Sequence, residues 1–288
     1  MTPAPPAVPP AADLRHLEEV ACEVARAAGR LVVEERPRDL GASSKSTATD
    51  PVTVMDRRSQ ALILDELVRR RPDDAVMGEE EGGVAGSSGI TWVVDPIDGT
   101  VNYLYDIPRY SVSVAAVVGD PDVHGGWRPV AGAVLEPVSG RLFHARLGGG
   151  ARLTTPDGHR TLAASGATDL GLSLVATGFA YRAELRERQV RALLEVIVRV
   201  RDIRRFGSAA LDLCDVACGR VDGYYETALN VWDRAAGQLV ATESGAAVGG
   251  PVDGTTTREL TWASAPGIAE PFAELVRDVS ARHVNADG

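Results

Sequence analysis

The sequence predicts a mixed protein of the α+β class, with helices and sheets in separate layers. Two long segments near the N-terminus repeat apolar residues at helical spacing, and the segments after them alternate or cluster β-branched residues. Several of these predicted strands follow one another without a helix between them. That order argues against a repeated βαβ array and favours layers of helix and sheet packed face to face.

Helical periodicity is clearest in residues 13–35 and 54–71. Asp13 is the expected N-cap of the first segment, since its short carboxylate can accept from backbone N–H groups of the first turn, and Pro37 follows the segment's end. Residues 1–12 are rich in proline and alanine, and we expect them to form a disordered tail. Later helices are predicted at 184–200, 208–219, 231–244 and 267–282.

Strands are predicted where short runs are rich in valine, isoleucine and aromatic residues. These runs are 74–78, 90–95, 110–119, 128–136, 141–146, 172–177 and 203–206, with turn signals at 137–140 and 156–159. Repeated glycine and serine in residues 79–89 predict a mobile surface loop. We expect one domain over 13–284, made of two packed α/β halves with a boundary near 150–170.

The composition limits the classes of function. The 288 residues are 44% hydrophobic and 24% charged, and the net charge of -10 argues against a nucleic-acid partner. The chain has only three cysteines and no run near the ~18 apolar residues of a membrane span, so we expect a cytoplasmic protein without disulfides or a membrane partner. An acidic protein that handles phosphate needs local positive charge, which cations bound by clustered carboxylates can supply.

The most informative segment is WVVDPIDGTVNY at 92–103. A buried strand is expected to end at Asp95, because Pro96 cannot continue a strand ladder. Gly99 and Thr100 then open a helix, whose first N–H groups can bind an anion. Two carboxylates for a cation and two amides for a phosphate thus occur within six residues. The same pattern also fits ordinary turn and helix-cap chemistry.

Two further acids complete a candidate magnesium site. Glu79 follows a predicted strand, and Asp233 lies in the first turn of a predicted helix. Mg²⁺ prefers oxygen ligands in octahedral geometry, so a pair of ions needs several acids from separate elements. Glu79, Asp95, Asp98 and Asp233 together meet that need, although each one alone is more often a solvated acid or a helix cap.

The chain resembles the inositol monophosphatase family of Mg²⁺-dependent phosphatases. The resemblance rests on GEE at 78–80, WVVDPIDGTVNY at 92–103 and VWDRAAGQLVATESGA at 231–246, with support at 50–56 and 206–226. It implies a layered α-β-α-β-α sandwich of the inositol monophosphatase and fructose-1,6-bisphosphatase type. It also implies a homodimer, two to three Mg²⁺ ions per subunit, and inhibition by Li⁺ at the second metal position.

The family pattern also implies a role for each site residue. The metal ligands would be Glu79, Asp95, the carbonyl of Ile97, Asp98 and Asp233, with Lys45 near a weaker third ion. The catalytic residues would be Glu79, Asp56 and Thr100, the last two orienting and deprotonating the attacking water. The substrate contacts would be Asp98, Gly99, Thr100, Ser208, Ala209, Glu226 and Asp233. Asn230 departs from the pattern, since animal members tend to carry a histidine there.

The predicted reaction is Mg²⁺-dependent hydrolysis of a small phosphate monoester, with inositol 1-phosphate as the favoured substrate. Two metal ions can activate water on one side and stabilise the departing alkoxide on the other. No covalent nucleophile is expected, and the sequence has neither a GxSxG elbow nor a Walker loop. Histidinol phosphate and fructose 1,6-bisphosphate are alternative substrates. A protein-binding role with the transcription machinery is the non-enzymatic alternative.

Overall fold

The computed structural model describes residues 7–45, 51–123, 125–251 and 255–284. Five layers in the order α-β-α-β-α confirm the predicted α+β class. The helices are α1 (Ala11–Glu34), α2 (Val54–Arg70), α3 (Thr100–Leu104), α4 (Ala183–Val196), α5 (Ala209–Ala217), α6 (Val231–Glu243) and α7 (Ala269–His283). Of the tail predicted at 1–12, the first six residues lie outside the described part and the last two belong to α1.

The strands form two large sheets and one small ribbon. They are β1 (Ser43–Ser44), β2 (Pro51–Val52), β3 (Ala75–Gly78), β4 (Ile90–Asp98), β5 (Ser111–Gly119), β6 (Trp127–Glu136), β7 (Arg141–Arg146), β8 (Ala151–Thr155), β9 (Gly158–Thr161), β10 (Leu174–Thr177), β11 (Asp202–Arg204), β12 (Gly223–Glu226), β13 (Ala247–Gly249) and β14 (Thr261–Ser264). The first large sheet has the order β3-β4-β5-β6-β7-β8-β9, and the second has the order β11-β10-β12-β14-β13. The small ribbon pairs β1 with β2.

Each sheet has its own pattern of strand directions. In the first sheet β3 runs parallel to β4, and the strands from β4 to β9 then form an antiparallel meander. In the second sheet β10 runs parallel to both of its neighbours, whereas β14 runs antiparallel to both of its own. The chain passes from the first sheet to the second over residues 162–173.

Three apolar clusters hold the five layers together. The outer helices α1 and α2 cover one face of the first sheet, where Leu17 and Trp92 are buried in one cluster. The middle helices α5 and α6 contribute to a cluster with residues of both sheets, such as Phe143 and Tyr224. Helices α4 and α7 cover the far face of the second sheet around Phe272. The shared middle layer supports the proposal of one domain built from two packed halves.

Helix α1 begins earlier than the sequence predicts. Its N-cap is Pro10 rather than Asp13, and the carbonyl of Pro10 accepts from Leu14 N at 3.0 Å. Proline suits this position because it has no N–H to leave unpaired. Asp13 lies within the first turn instead, where its charge interacts favourably with the helix dipole. Among the described residues, no helix combines the length and the apolar character needed to cross a membrane.

The sequence patterns do not predict β1, β2, β8, β9, β12, β13 and β14. Each of these strands has two to five residues, too few for an alternation of apolar and polar side chains to be recognised. The turn signal at 156–159 does fall between β8 and β9. The omission of β12 matters most, because this central strand of the second sheet carries Glu226.

The loop at 79–89, predicted to be mobile, is tied to the first sheet. Val84 forms two backbone hydrogen bonds with Val76, of 2.8 and 2.9 Å. The hydroxyl of Ser88 donates to Asp74, a buried carboxylate that also accepts from the indole N–H of Trp92. Gly82 and Gly89 have positive φ, the conformation for which glycine is suited in tight turns.

Candidate metal centre and active site

Asp95 and Asp98 are brought together by an irregularity in β4. The strand does not end at Asp95 as predicted but continues through Pro96 to Asp98. Asp95 lies opposite Ser113 of β5 and Asp98 lies opposite Ser111, so two residues of β4 face one residue of β5. Such a bulge accommodates proline, because the extra residues leave the regular ladder and need no N–H donor.

Asp56 binds the start of α3 from the first turn of α2. Its Oδ1 lies 3.1 Å from the hydroxyl of Thr100, which donates either to it or to the carbonyl of Ile97 at 3.0 Å. Its Oδ2 accepts from the hydroxyl and the backbone N–H of Thr53, the N-cap of α2. Asp56 is fully buried, and desolvation raises its pKa.

The next residues of α2 hold two more segments of the site. The hydroxyl of Ser59 donates to the carbonyl of Pro96 at 3.1 Å. The side chain of Gln60 accepts from Glu80 N at 2.8 Å and donates to the carbonyl of Glu81 at 2.9 Å. One turn of α2 therefore contacts three segments of the site: the bulge of β4, the start of α3 and the segment that follows Glu79. The three residues that make these contacts, Asp56, Ser59 and Gln60, lie within four positions of one another.

The carboxylate of Asp98 is held at the N-terminus of α5. It accepts from the hydroxyl of Ser208 at 2.5 Å, from Ala210 N at 2.9 Å and from Ala209 N at 3.3 Å. The first N–H groups of a helix have no partner within the helix, so a carboxylate is stabilised there. These bonds fix the orientation of the Asp98 carboxylate. Gly99 has φ 94°, and a Cβ there would lie 2.9 Å from the carbonyl oxygen of Gly207.

Asp233 and Glu79 approach from two other elements. Asp233 lies in the first turn of α6, where its Oδ2 accepts from Asn230 N at 2.6 Å. Glu79 follows β3 directly and pairs with Lys45, whose Nζ lies 2.8 Å from Glu79 Oε1 and also contacts Glu80. Lys45 therefore places a positive charge beside Glu79 and Glu80.

Burial and mutual repulsion set the electrostatics of these acids. Desolvation raises the pKa of Glu79 to about 7, against the opposing charge of Lys45. The pKa of Asp95 is raised well above its usual range by desolvation and then by the charges of Glu79, Asp98 and Asp233. Desolvation and then the charges of Glu79, Asp98 and Glu226 raise the pKa of Asp233. Desolvation also raises the pKa of Asp98, and its hydrogen bonds only partly offset that rise. The raised pKa values mean that this cluster of acids favours the binding of protons or of a cation.

The acids open into a cavity of about 360 Å³. Glu226 lies on its wall, where its carboxylate accepts from the hydroxyl of Tyr224 at 2.8 Å and desolvation raises its pKa to about 7. A Cβ on Gly178 would lie 2.0 Å from a carboxylate oxygen of Glu226, so a larger residue there would displace this carboxylate. The cavity size is that of a small-molecule site.

The donor set fits Mg²⁺. All four acids supply hard oxygen ligands from separate elements, and their raised pKa values show a site that favours added positive charge. Among the described residues, no three side chains of aspartate, glutamate, histidine or cysteine are close enough together to hold a metal ion in their present positions. Each acid instead bonds a protein group, such as Lys45 for Glu79 or Asn230 N for Asp233. An ion bound here would therefore replace these partners.

Most of the predicted site residues share this cavity. Its walls include Glu79, Asp95, Ile97, Asp98, Gly99, Thr100, Ala209, Glu226 and Asp233. Asp56 and Ser208 lie behind this surface and are 0% and 1% exposed. The structure therefore places Ser208 against Asp98 rather than at the cavity wall, because its hydroxyl caps α5 and bonds that carboxylate.

Several wall residues have no counterpart in the sequence prediction. They are Phe179, Tyr181, Arg182, Arg205, Ala228 and Arg258. Ala228 has φ 70°, an uncommon conformation for a residue with a Cβ, and its N–H donates to the carbonyl of Arg258 at 2.6 Å. These residues come from connections between elements. No periodicity marks them, although the pair Arg204 and Arg205 directly before FGSAA was a visible signal.

Comparison with known proteins gives a consistent result. A family profile described as "Inositol monophosphatase family" matches residues 13–284. An inositol-1-monophosphatase of Mycobacterium leprae is 48% identical over 81% of this chain and 82% of its own. A protein of Pasteurella multocida named Nus factor SuhB is 38% identical over 80% and 83%. The solved structure of Mycobacterium tuberculosis SuhB superposes with a TM-score of 0.77 at 40% identity, covering 92% of this chain and 97% of that one.

Proposed function

Because this chain belongs to the inositol monophosphatase family of phosphoric monoester hydrolases, we propose that it hydrolyses inositol 1-phosphate to myo-inositol and phosphate with Mg²⁺. The observation that supports this most directly is the convergence of Glu79, Asp95, Asp98 and Asp233 on one cavity beside Gly99 and Thr100. Mg²⁺ bound there would supply Lewis-acid stabilisation of charge on the phosphate and on the leaving oxygen. The proposed ligands are these four acids and the carbonyl of Ile97, for two to three ions.

The protein's own groups have two proposed tasks. The backbone N–H groups of Gly99 and Thr100 would hold the phosphate, since both residues line the cavity. The Thr100 hydroxyl would accept from the attacking water while donating to Asp56, which lies 3.1 Å away. A buried carboxylate with a raised pKa is suited to take up the proton that this chain of hydrogen bonds delivers. Glu79 would help to orient the same water.

Replacing Thr100 tests the path to Asp56. We expect Thr100→Val to lower kcat by about 100-fold, because it removes the hydroxyl while keeping the shape of the side chain. Thr100→Ser keeps the hydroxyl and is the matched control, with an expected loss of less than about tenfold. Steady-state assays of phosphate release give kcat for both variants and the wild type. Equal activity of the valine and serine variants would exclude Thr100 from proton transfer.

The polyol side of the substrate would contact Glu226, Asp233 and Ala209. An ionised carboxylate can accept hydrogen bonds from neighbouring hydroxyl groups, which suits inositol. Phosphate release from inositol 1-phosphate, histidinol phosphate, fructose 1,6-bisphosphate and adenosine 3′,5′-bisphosphate, with and without Mg²⁺ after chelator treatment, tests the substrate and the metal together. We expect the highest kcat/KM for inositol 1-phosphate, no turnover without Mg²⁺, and inhibition by LiCl. Turnover that persists in chelator would exclude the proposed metal.

A homodimer in the cytoplasm completes the proposal. Tyr105 and Ile107, just after α3, are 72% and 48% exposed and offer apolar surface for a second copy. All three cysteines are free, which agrees with a reducing compartment. Light scattering on the purified protein would give the mass of the assembly, and a monomer would contradict the proposed dimer.

A second candidate function is suggested by the relative named Nus factor SuhB. On this view the chain would act mainly by binding the transcription machinery, and catalysis would be secondary. A chromosomal Asp95→Asn replacement separates the two roles, because it removes one proposed metal ligand and leaves the surface intact. Growth like the wild type, where a deletion shows a defect, would favour the binding role.

A further inference from the structure

Asn102 joins three segments behind the proposed phosphate site. It lies in α3, two residues after Thr100, and its residue surface is 7% exposed. Its side-chain nitrogen donates to the carbonyl of Arg109 at 2.6 Å and to the carbonyl of Phe206 at 2.7 Å. Arg109 precedes β5 in the first half of the molecule, whereas Phe206 follows β11 in the second half. One side chain therefore connects α3 to both halves.

A primary amide suits the two carbonyl acceptors of this site. The amide nitrogen of asparagine carries two N–H groups, so it can donate to both carbonyls at once. A carboxylate of the same shape would place oxygen atoms against two carbonyl oxygens, and a methyl group would donate to neither. Since buried carbonyl groups are costly to leave without a hydrogen-bond donor, the two bonds of Asn102 hold the carbonyls where they are.

Gly99 packs against the same two segments. A Cβ added to Gly99 would lie 2.9 Å from the carbonyl oxygen of Gly207 and 3.3 Å from that of Arg109. Gly207 directly follows Phe206, so the backbone of Gly99 lies against the two stretches whose carbonyls Asn102 binds. A shift of either stretch would change the space that the backbone of Gly99 occupies, and with it the direction of the Gly99 N–H.

Other bonds hold the proposed metal ligands and helix α5. Asp98 accepts from two backbone N–H groups of α5, and Asp95 accepts from a backbone N–H of β4 at 3.0 Å. Helix α5 is anchored separately by the guanidinium of Arg109, which pairs with Asp212 at 3.0 Å and with Asp215 at 2.7 Å. Loss of the two amide bonds would therefore leave the acids and α5 with their own partners.

We propose that Asn102 is a positioning residue for phosphate binding. Through the carbonyls of Arg109 and Phe206 it fixes the backbone of Gly99 and Thr100, whose N–H groups would hold the phosphate. This inference rests on the proposed function. Asn102 itself touches neither substrate nor metal, since it does not line the cavity. Its loss would let the two phosphate-holding N–H groups move relative to the acids, so phosphate binding weakens while Mg²⁺ binding does not.

Asn102→Asp tests this role with the least change in shape, because it removes both donors and keeps the size of the side chain. We expect kcat/KM for inositol 1-phosphate to fall by about 30-fold or more. The inhibition constant of inorganic phosphate, a product of the reaction, should rise by about tenfold or more. The rise in melting temperature caused by MgCl₂ without phosphate should equal that of the wild type, because the acids keep their positions. Asn102→Ser keeps one donor and adds no charge, so its losses should be smaller.

Ser173→Ala is the matched control. Ser173 is fully buried, and its hydroxyl donates to the carbonyl of Asp169 at 2.8 Å, so this variant also removes a buried donor from a backbone carbonyl. Ser173 directly precedes β10 and does not line the cavity. We expect a lower melting temperature, with kcat/KM and phosphate inhibition unchanged at temperatures where the variant is folded. Rates of all variants are divided by the folded fraction, which circular dichroism gives at the assay temperature.

Wild-type kcat/KM and phosphate inhibition in both Asn102 variants overturn the inference and leave the proposed function standing. Loss of the MgCl₂ shift together with turnover also overturns it, because Asn102 would then act on the metal ligands. If neither Asn102 variant folds, or if Ser173→Ala loses phosphate affinity to the same degree, the role of Asn102 is structural and the inference is wrong. Absence of Mg²⁺-dependent phosphate release by the wild type overturns the proposed function and this inference with it.

Discussion

Asp95→Asn is expected to abolish turnover, with kcat/KM reduced by about 1000-fold or more, and to raise the melting temperature of the metal-free protein at pH 8. Asp95 is 2% exposed, and its pKa is raised by burial and by three neighbouring acids. Ionising it in the metal-free fold is therefore costly. Asparagine removes that charge but keeps an oxygen that can accept from Ile97 N, as Asp95 does at 3.0 Å. Asp95 is a proposed metal ligand, and its loss would remove charge stabilisation that bound Mg²⁺ would supply to the reaction.

Asp74→Asn is the matched control for this variant. Asp74 is equally buried, but it pairs with Arg71 and bonds Trp92, and it does not line the cavity. We expect it to lower the melting temperature, because it breaks a satisfied buried pair, while turnover persists at temperatures where it is folded. Thermal unfolding in chelator and phosphate release in Mg²⁺ measure both properties. An Asp95→Asn protein that is active, or less stable than the wild type in chelator, would contradict the metal assignment.

The metal-free protein is expected to lose stability as pH rises from about 5 to 8. Glu79 and Glu226 each have a pKa raised to about 7 in the folded state, above the value of 4.5 for a free glutamate. A raised folded pKa favours the protonated fold, so this contribution is fully present below about pH 4.5 and is lost as pH rises through about 7. Carboxylates with a lowered pKa, such as Glu18, act in the opposite sense but only at lower pH.

Mg²⁺ should reverse this trend. Ions bind the ionised acids, so saturating Mg²⁺ should raise the melting temperature by about 5 °C at pH 8 and by much less at pH 5.5. Melting curves at both pH values, in chelator and in MgCl₂, with NaCl matched for ionic strength, give the comparison. An equal Mg²⁺ shift at the two pH values would contradict the view that these acids hold the ions. The Asp95→Asn variant should show a smaller shift at pH 8.

Local patterns predicted the parts of the site that are close in sequence. Asp95, Asp98, Gly99 and Thr100 lie within six residues, so their proximity follows from the covalent chain. The structure changed only the local geometry: β4 continues through Pro96 as a bulge instead of ending at Asp95. Long helices were predicted equally well, because apolar periodicity over many residues is a strong signal.

Contacts between residues that are distant in sequence could not be predicted from periodicity alone. Thr100 and Asp56 are 44 positions apart, and their pairing came from family resemblance. The family resemblance did not predict that Ser208 would bond Asp98 instead of facing the cavity. It also did not predict the hydrogen bond between the side chain of Gln60 and the backbone N–H of Glu80. These bonds depend on how α5 and α2 pack against the first sheet.

The sequence by itself determined the class of fold, the long helices and the acidic segment at 92–103, because each depends on residues that are neighbours along the chain. Only the tertiary structure decided which acids repel one another, which donors hold them, and that Arg182, Arg205 and Arg258 line one cavity. The physical reason is that burial and charge interactions act through space. Exposed arginines occur all along this chain, and nothing in their local sequence shows which of them share a cavity.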